Sequence, residues 1–454
     1  MKGIRGIRGN SLAVMAWRNL WRNRRRTLLT LSSIVFGIFL AVLFTAMQDQ
    51  NWADTIDLAA RLSGGHVTLQ HPDYLDAPKL TLTVRDTDRL TEVAGGAEYV
   101  TRVAERIVGQ TMLSTAGDSF GAGFIAIDPA QDDEATLSVL EGLVEGEMFE
   151  TSRDGGIILG ARLAENLSVD MGKRVVYTMT DVNGDIVAGL GRVSGIIRTG
   201  SPSVDGGLCL LPIDSVRDLL GYAPDEAIQV AVFIDDQRRS DLVAESLQEQ
   251  LNAEVGSQLV AQLDGQADAQ SGAQPAAQPD VQPGPSVAAL PWHRVQPELS
   301  AFIAMKVGST RFMEVFIAIL VAAGIFNTLF VSVMERLREF GIMNAIGFSP
   351  GRIFALVMLE SFWLAVVGLV AALAVTAGPY MYLASTGIDF GALVGDEANM
   401  ELAGVAMSTT LRVGIFPESA AIIALCAVLA IMLSGLYPAW KAGHVEPIET
   451  IRLV

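Results

Sequence analysis

Four stretches of this 454-residue chain are apolar over roughly the length a helix needs to cross a bilayer: Leu28–Met47, Val315–Met334, Ile353 to about Ala377, and Ala420–Leu436. A helix rises about 1.5 Å per residue, so about 20 residues cover a hydrocarbon core of roughly 30 Å. Half the residues are hydrophobic, which alone would fit several soluble domains, but their clustering does not. The fourth run is short and draws on Phe416 and Tyr437 as interfacial residues. The expected fold class is an α-helical integral membrane protein with four transmembrane helices and a large mixed α+β extracytoplasmic domain.

Positive charge orients the chain. Residues 1–27 carry eight Lys or Arg and no acid, which places this end in the cytoplasm. Counting spans then gives a basic N-terminus (1–27), first span (28–47), extracytoplasmic domain (48–311), second span (312–334) and cytoplasmic loop (335–352). A third span (353–377), extracytoplasmic loop (378–416), fourth span (417–437) and cytoplasmic tail (438–454) complete the order. Both termini are thereby expected in the cytoplasm, and the chain in a bacterial cytoplasmic (inner) membrane. The first external region holds 39 Asp or Glu against 18 Lys or Arg, whereas the cytoplasmic pieces hold 13 basic and 4 acidic residues. The formal charge of −18 thus belongs to one external domain, and nucleic acid is not an expected partner. The first apolar run is longer than a cleaved signal's core and lacks a clear small-x-small site after Thr45-Ala46-Met47. Ahead of it, Leu12, Met15, Ala16, Leu20 and Trp21 alternate with arginines, the pattern of an amphipathic helix on the membrane surface.

The external domain shows β-rich runs at His66–Gln70, Leu80–Val84, Phe124–Ile127, Gly156–Leu159, Arg174–Met179, Gly191–Ile197 and Ile228–Ile234. Helices are expected at Ala161–Leu167, Ile213–Leu220 and Leu242–Leu251. Asp181–Asp185 reads as a turn, with Asn183-Gly184 supplying positive φ. Residues 264–286 collapse to Gln, Ala, Pro, Gly and Asp, a composition expected to be disordered. Glu298–Thr310 then reads as a helix feeding the second span. Cys209 lies in the external domain and Cys426 in the fourth span, so they are not expected to pair.

Enzyme signatures are missing: Gly172-Lys173 lacks the upstream glycine and following Ser or Thr of a phosphate loop. The four histidines are too scattered for a metal centre. Asn327 and Glu360 sit within spans and should face protein, Asn327 in an interhelical hydrogen bond and Glu360 paired with Arg352 or Arg336. Between the second and third spans lies MERLREFGIMNAIG, Met334–Gly347. Ile342, Met343, Ala345 and Ile346 give it a small apolar face, flanked by Glu335, Arg336, Arg338 and Glu339. Such a centre with a charged rim suits a docked protein, with Gly341 and Gly347 bounding the helix.

This segment resembles the coupling loop of MacB/FtsX-type ABC transporter permeases. The similarity extends to Trp17-Arg18-Asn19-Leu20 with Arg22 and Arg26, Asn327, Met358-Leu359-Glu360-Ser361, and Tyr437-Pro438-Ala439 followed by Glu446-Pro447-Ile448-Glu449. Within the family, Val193–Gly200, Asp205, Leu211–Leu220 and Trp292 resemble lipoprotein-releasing permeases of the LolC/LolE type, although the insert at 264–286 departs from them. The resemblance implies a non-catalytic permease subunit that dimerises, with itself or a related chain, and carries a separate ABC ATPase on each cytoplasmic loop. ATP and Mg would then be bound by that partner, and no cofactor by this chain. It implies movement of external domains acting on lipoproteins or other amphiphiles. The alternative within the family is an FtsX-like mechanotransmitter acting on an extracytoplasmic partner such as a cell-wall hydrolase.

Overall fold

The computed structural model describes residues 9–62, 64–253, 287–389, 401–402, 405–406 and 410–444. Most of the expected loop at 378–416, the insert at 264–286 and the end of the tail lie outside them. The chain divides into two compact units, one of Met1–Trp52, Ile303–Leu393 and Thr409–Val454, the other of Ala53–Phe302 with Val394–Ser408.

The first unit is helical. Among the described residues, four helices are long and apolar enough to cross a membrane: Arg24–Leu62, Pro297–Glu335, Pro350–Thr386 and Pro417–Gly443. Each outruns its apolar core at one or both ends, and the third continues through Pro379 to Thr386, well past the expected limit at 377. Leu31, Ile34 and Ile38 of the first helix pack with Ile325, Leu364, Ala365, Ala372 and Ile431 of the other three. Small residues permit the approach: a Cβ added at Gly37 would meet Val321 at 2.6 Å, and one at Gly368 would meet Ile34 at 2.7 Å. A second cluster joins Val333, Phe340, Ile353, Val357, Ala439 and Ala442. The N-terminal helix, Gly9–Leu20, buries Ala16 completely and sets Trp17 edge-on to Trp363 with centroids 5.1 Å apart.

The second unit is built on a ten-stranded sheet. Its spine is Val100–Ser114, whose first half pairs with Gln229–Ile234 and second half with Ser119–Ile127. Beyond Gln229–Ile234 lie Val67–Gln70 and Ala288–Pro291. On the other side, Ser119–Ile127 pairs in parallel with Leu208–Pro212, followed by Gly156–Gly160, Ile186–Ile197 and Leu143–Gly146. The spine and the strand Leu208–Pro212 were not expected from sequence. The spine's alternation is broken by charge at Arg102, Glu105 and Arg106, which the fold buries in part by pairing. Arg106 is fully covered, donates to Asp132 at 2.7 Å and to the Thr136 carbonyl at 2.8 Å. Glu105 accepts from Arg217 at 2.5 Å and from the Thr87 hydroxyl at 2.9 Å.

The expected strand at Leu80–Val84 shrinks to Val84–Arg85, paired with Glu226–Ala227, because residues 79–82 form a turn closed by the Leu82 N–H on the Lys79 carbonyl, with the Tyr222 hydroxyl donating to the Leu80 carbonyl. In the hairpin turn only Gly184 adopts positive φ, at 89°. Asn183 is instead fixed by the Asp181 carboxylate, which accepts from the backbone N–H groups of Asn183 and Asp185 at 2.9 and 2.8 Å. Two helix ends within this unit are also held. Arg61 donates to Asp57 and Glu141 at 2.9 and 2.5 Å, and the Gln296 side chain donates to the Ala59 carbonyl at 3.3 Å.

The Arg106–Asp132 pair yields a stability prediction. Removing one partner of a fully buried pair strands the other charge, so Asp132→Ala should cost about 3–5 kcal/mol, whereas the double change Arg106→Met, Asp132→Leu should recover most of it. Thermal unfolding of the full-length chain in detergent, followed by tryptophan fluorescence, checks both.

Candidate coupling site in the helical unit

The segment singled out in the sequence forms two pieces rather than one helix. The second long helix ends at Glu335, Arg336 leaves helical geometry at φ −101°, ψ 7°, and a new helix runs Leu337–Ala345. Gly341 does not bound this helix: it lies inside it and is buried. Gly347 follows at φ +104°, a left-handed conformation that favours glycine and turns the chain toward Pro350.

The short helix has an inner and an outer side. Phe340 is wholly buried, and Leu337 and Met343 pack beside it against Val333, Ile353 and Val357. Met343 thus turns inward instead of joining the expected apolar face. Ile342 and Ile346 are 46% and 69% exposed, and Ala345 and Arg338 are exposed beside them. The outer surface is smaller than expected, an aliphatic patch with one cation.

Most of the expected charged rim is paired within the unit, although only Arg336 is largely covered. Arg22 of the N-terminal segment reaches Glu339 at 2.5 Å, and Arg26 reaches Glu335 at 2.6 Å. Arg336 bridges Glu339 at 3.2 Å and Glu360 of the third helix at 2.8 Å, and its guanidinium lies 5.1 Å from the Phe340 ring centroid. The Asn19 side-chain amide donates to the other Glu360 oxygen at 2.8 Å. Of the two arginines considered for Glu360, the fold uses Arg336. These groups ring a polar cavity of about 370 Å³ that also takes in Asn23, Thr27 and Ser332. Burial opposes ionisation of Glu339, but the hydrogen bonds from Arg22 and Arg336 outweigh it and hold the carboxyl below the usual range.

Arg22 and Arg26 were read from sequence as a topology signal and Asn19 only as part of the family resemblance, and nothing in their spacing marked them as partners of residues more than 300 positions away. Asn327 was expected in an interhelical hydrogen bond. It lies on the exposed side of the second helix in this chain, which is the least covered of the four long helices.

The ion-pair ring predicts a pH and mutational response. Because Glu339's folded pKa is depressed, its stabilising contribution is fully present above an ordinary glutamate's pKa of about 4.3 and is lost as pH falls through the depressed value. Glu339→Gln should therefore loosen Leu337–Ala345 at neutral pH, seen as faster amide hydrogen exchange there, while exchange in Pro350–Thr386 is unchanged.

The FtsX-like permease C-terminal family matches residues 311–447, and the MacB-like periplasmic core domain family matches residues 27–250. The ABC transporter permease YtrF of Bacillus subtilis (strain 168) is 30% identical over 154 residues, 33% of this chain and 33% of YtrF. The chain thus spans about a third of that relative. The lipoprotein-releasing system transmembrane protein LolC of Xylella fastidiosa (strain 9a5c) is 22% identical over 72% of this chain and 71% of LolC. Among solved structures, the extracellular domain of the noncanonic ABC-type transporter YknZ from Gram-positive bacteria aligns with a TM-score of 0.31 and 14% identity, over 42% of this chain and 94% of that one.

Proposed function

The chain belongs to the MacB/FtsX-type permeases of ABC transporters, and from that premise we propose that the Leu337–Ala345 helix is the joint at which a separate ATPase subunit grips it. The observation that carries this reading is the exposed patch of Ile342, Ala345 and Ile346 beside Arg338. It sits on a short helix between two long apolar helices and is braced from behind by Phe340 and the Arg336 ion pairs. An aliphatic surface on a rigid support is a docking element; the same side chains on a loose loop would lose affinity to ordering.

In this reading the protein lies in the bacterial cytoplasmic membrane with both termini and the Leu337–Ala345 helix in the cytoplasm. The permease works as a homodimer or heterodimer, ATP and Mg sit on the ATPase, and hydrolysis there moves the extracytoplasmic domain. The LolC relative supports lipoproteins or other amphiphiles as the cargo. The FtsX-like match over 311–447 supports a second reading in which the same joint drives a mechanotransmitter acting on an extracytoplasmic partner. A lipid-modified protein that leaves reconstituted membranes only with ATP favours the first, and ATP-dependent activation of a hydrolase without release favours the second.

The docking role has a direct test. Ile342→Asp or Ala345→Arg places an unpaired charge in the contact, costing about 2 kcal/mol or more, roughly thirtyfold in affinity. Pull-down of the cognate ATPase and permease-stimulated ATP hydrolysis should both fall by about that factor, with the unfolding temperature unchanged. Undiminished pull-down would end the assignment.

A further inference from the structure

A groove in the helical unit has no part in the coupling site. It lies between the first, second and fourth long helices and has a volume of about 520 Å³, within the range of about 300–1,000 Å³ common for small-ligand sites. Its walls are almost entirely aliphatic, with Ile34 and Ile38 on one side, Ala318 and Ile325 on the second, and Ala427 and Ala430 on the third. The one hydroxyl on its lining, Ser434, is spent on the Ala322 and Ala430 carbonyls at 2.9 and 2.7 Å. Charge appears at one end only, as Arg311 and Glu314. These two are not equivalent. Glu314 is largely covered and accepts from the Thr45 hydroxyl at 2.7 Å. Arg311 is about half exposed, and its Nη1 is 3.9 Å from Glu314, at the outer edge of an ion pair.

The groove's length decides what fits. From Arg311 to Ile325 the second helix advances about 21 Å at about 1.5 Å per residue, whereas half of a roughly 30 Å hydrocarbon core is about 15 Å. With its cation at headgroup depth, the apolar channel therefore spans one leaflet and ends near the bilayer midplane, well short of the far side. A helix from a second copy, about 10–12 Å wide, does not fit within about 520 Å³ over that length. A flexible hydrocarbon chain ending in an anion does. We propose that this groove holds one acyl chain of a membrane glycerophospholipid, with Arg311 on the headgroup phosphate. The proposal rests on the membrane setting of the four helices and on neither the ATPase nor the cargo reading.

The test uses the full-length chain in nanodiscs of phosphatidylcholine and phosphatidylglycerol, with a trace of phosphatidylglycerol bearing a diazirine in its acyl chain. Photo-adducts are mapped by peptide mass spectrometry. Adducts should concentrate at Ala318–Ile325 and Cys426–Ser434, relative to Val370 and Leu373, which are exposed on the third helix. Arg311→Gln should lower the groove adducts several-fold, and Ala318→Trp, which fills the channel, should abolish them, with adducts at Val370 and Leu373 unchanged in both. Where Ala318→Trp fails to insert, Arg311→Gln carries the test alone. Even labelling of all four helices, or groove labelling indifferent to both variants, would overturn the proposal. So would displacement of the photolipid by a stoichiometric triacylated lipopeptide, which would give the groove to cargo. Cys426 supplies an internal control, since it lines the groove and is exposed whereas Cys209 is buried. Efficient oxidative Cys426–Cys426 crosslinking between two copies, in place of lipid adducts, would assign the groove to a second copy and overturn the proposal.

Discussion

The Arg336–Glu360 ion pair organises the helical unit. A carboxylate one turn or more inside an apolar helix is costly unless it is paired, because the surrounding medium solvates charge poorly. Glu360 is ten residues past Pro350 in the third helix, and Arg336 and Asn19 occupy its two oxygens. To reach it, Arg336 must leave the second helix, which stops one residue earlier. The same guanidinium holds Glu339, setting the rotation of the short helix, so that Phe340 points in and Ile342 and Ile346 point out. Where the short helix begins, and which face it shows, thus follow the neutralisation of one acid inside a long apolar helix.

The four long helices were legible in the sequence because bilayer thickness imposes a length, and length with hydropathy is a strong local signal. Helix ends were less legible. Ends outside the hydrocarbon are set by side-chain contacts, as where the third helix runs through Pro379 to Thr386. The expected charged rim of the coupling segment was misread for a related reason. Sequence shows that Glu335, Arg336 and Glu339 are charged and near an apolar face, but not that Arg22 and Arg26 are their partners across more than 300 residues. Asn327 carried a similar limit, since a polar residue in a span needs a partner without specifying which helix supplies it.

In the other unit the spine strand escaped notice because its charges are internal. Arg106 and Glu105 interrupt the alternation that marks a half-buried strand, yet both are buried and satisfied, by Asp132 and by Arg217 with Thr87. Residues 100–106 and 107–114 pair with different neighbours, so the strand joins two hydrophobic clusters, one around Val230 and Leu247, the other around Phe124 and Leu159. Aliphatic side chains would pack at these positions with less desolvation. Directional pairs add something packing does not: they tie the middle of the strand to Asp132, Arg217 and Thr87, which lie outside the sheet.

The inward use of charge also bears on how a partner would recognise the coupling helix. Glu335, Arg336 and Glu339 are each paired with groups of the unit, and although Glu335 and Glu339 stay about half exposed, their pairing leaves Ile342, Ala345 and Ile346 with Arg338 as the proposed docking surface. Electrostatic steering from so sparse a rim is weak and short in range at physiological salt. On the docking reading proposed above, affinity would come from apolar area and shape, which depend on the helix being held at one angle. The ion-pair ring behind it would do that holding, and a change at Arg22 or Glu360, remote from the proposed docking face in sequence, would act on the same step as a change at Ile342, through the orientation of the helix instead of its contacts.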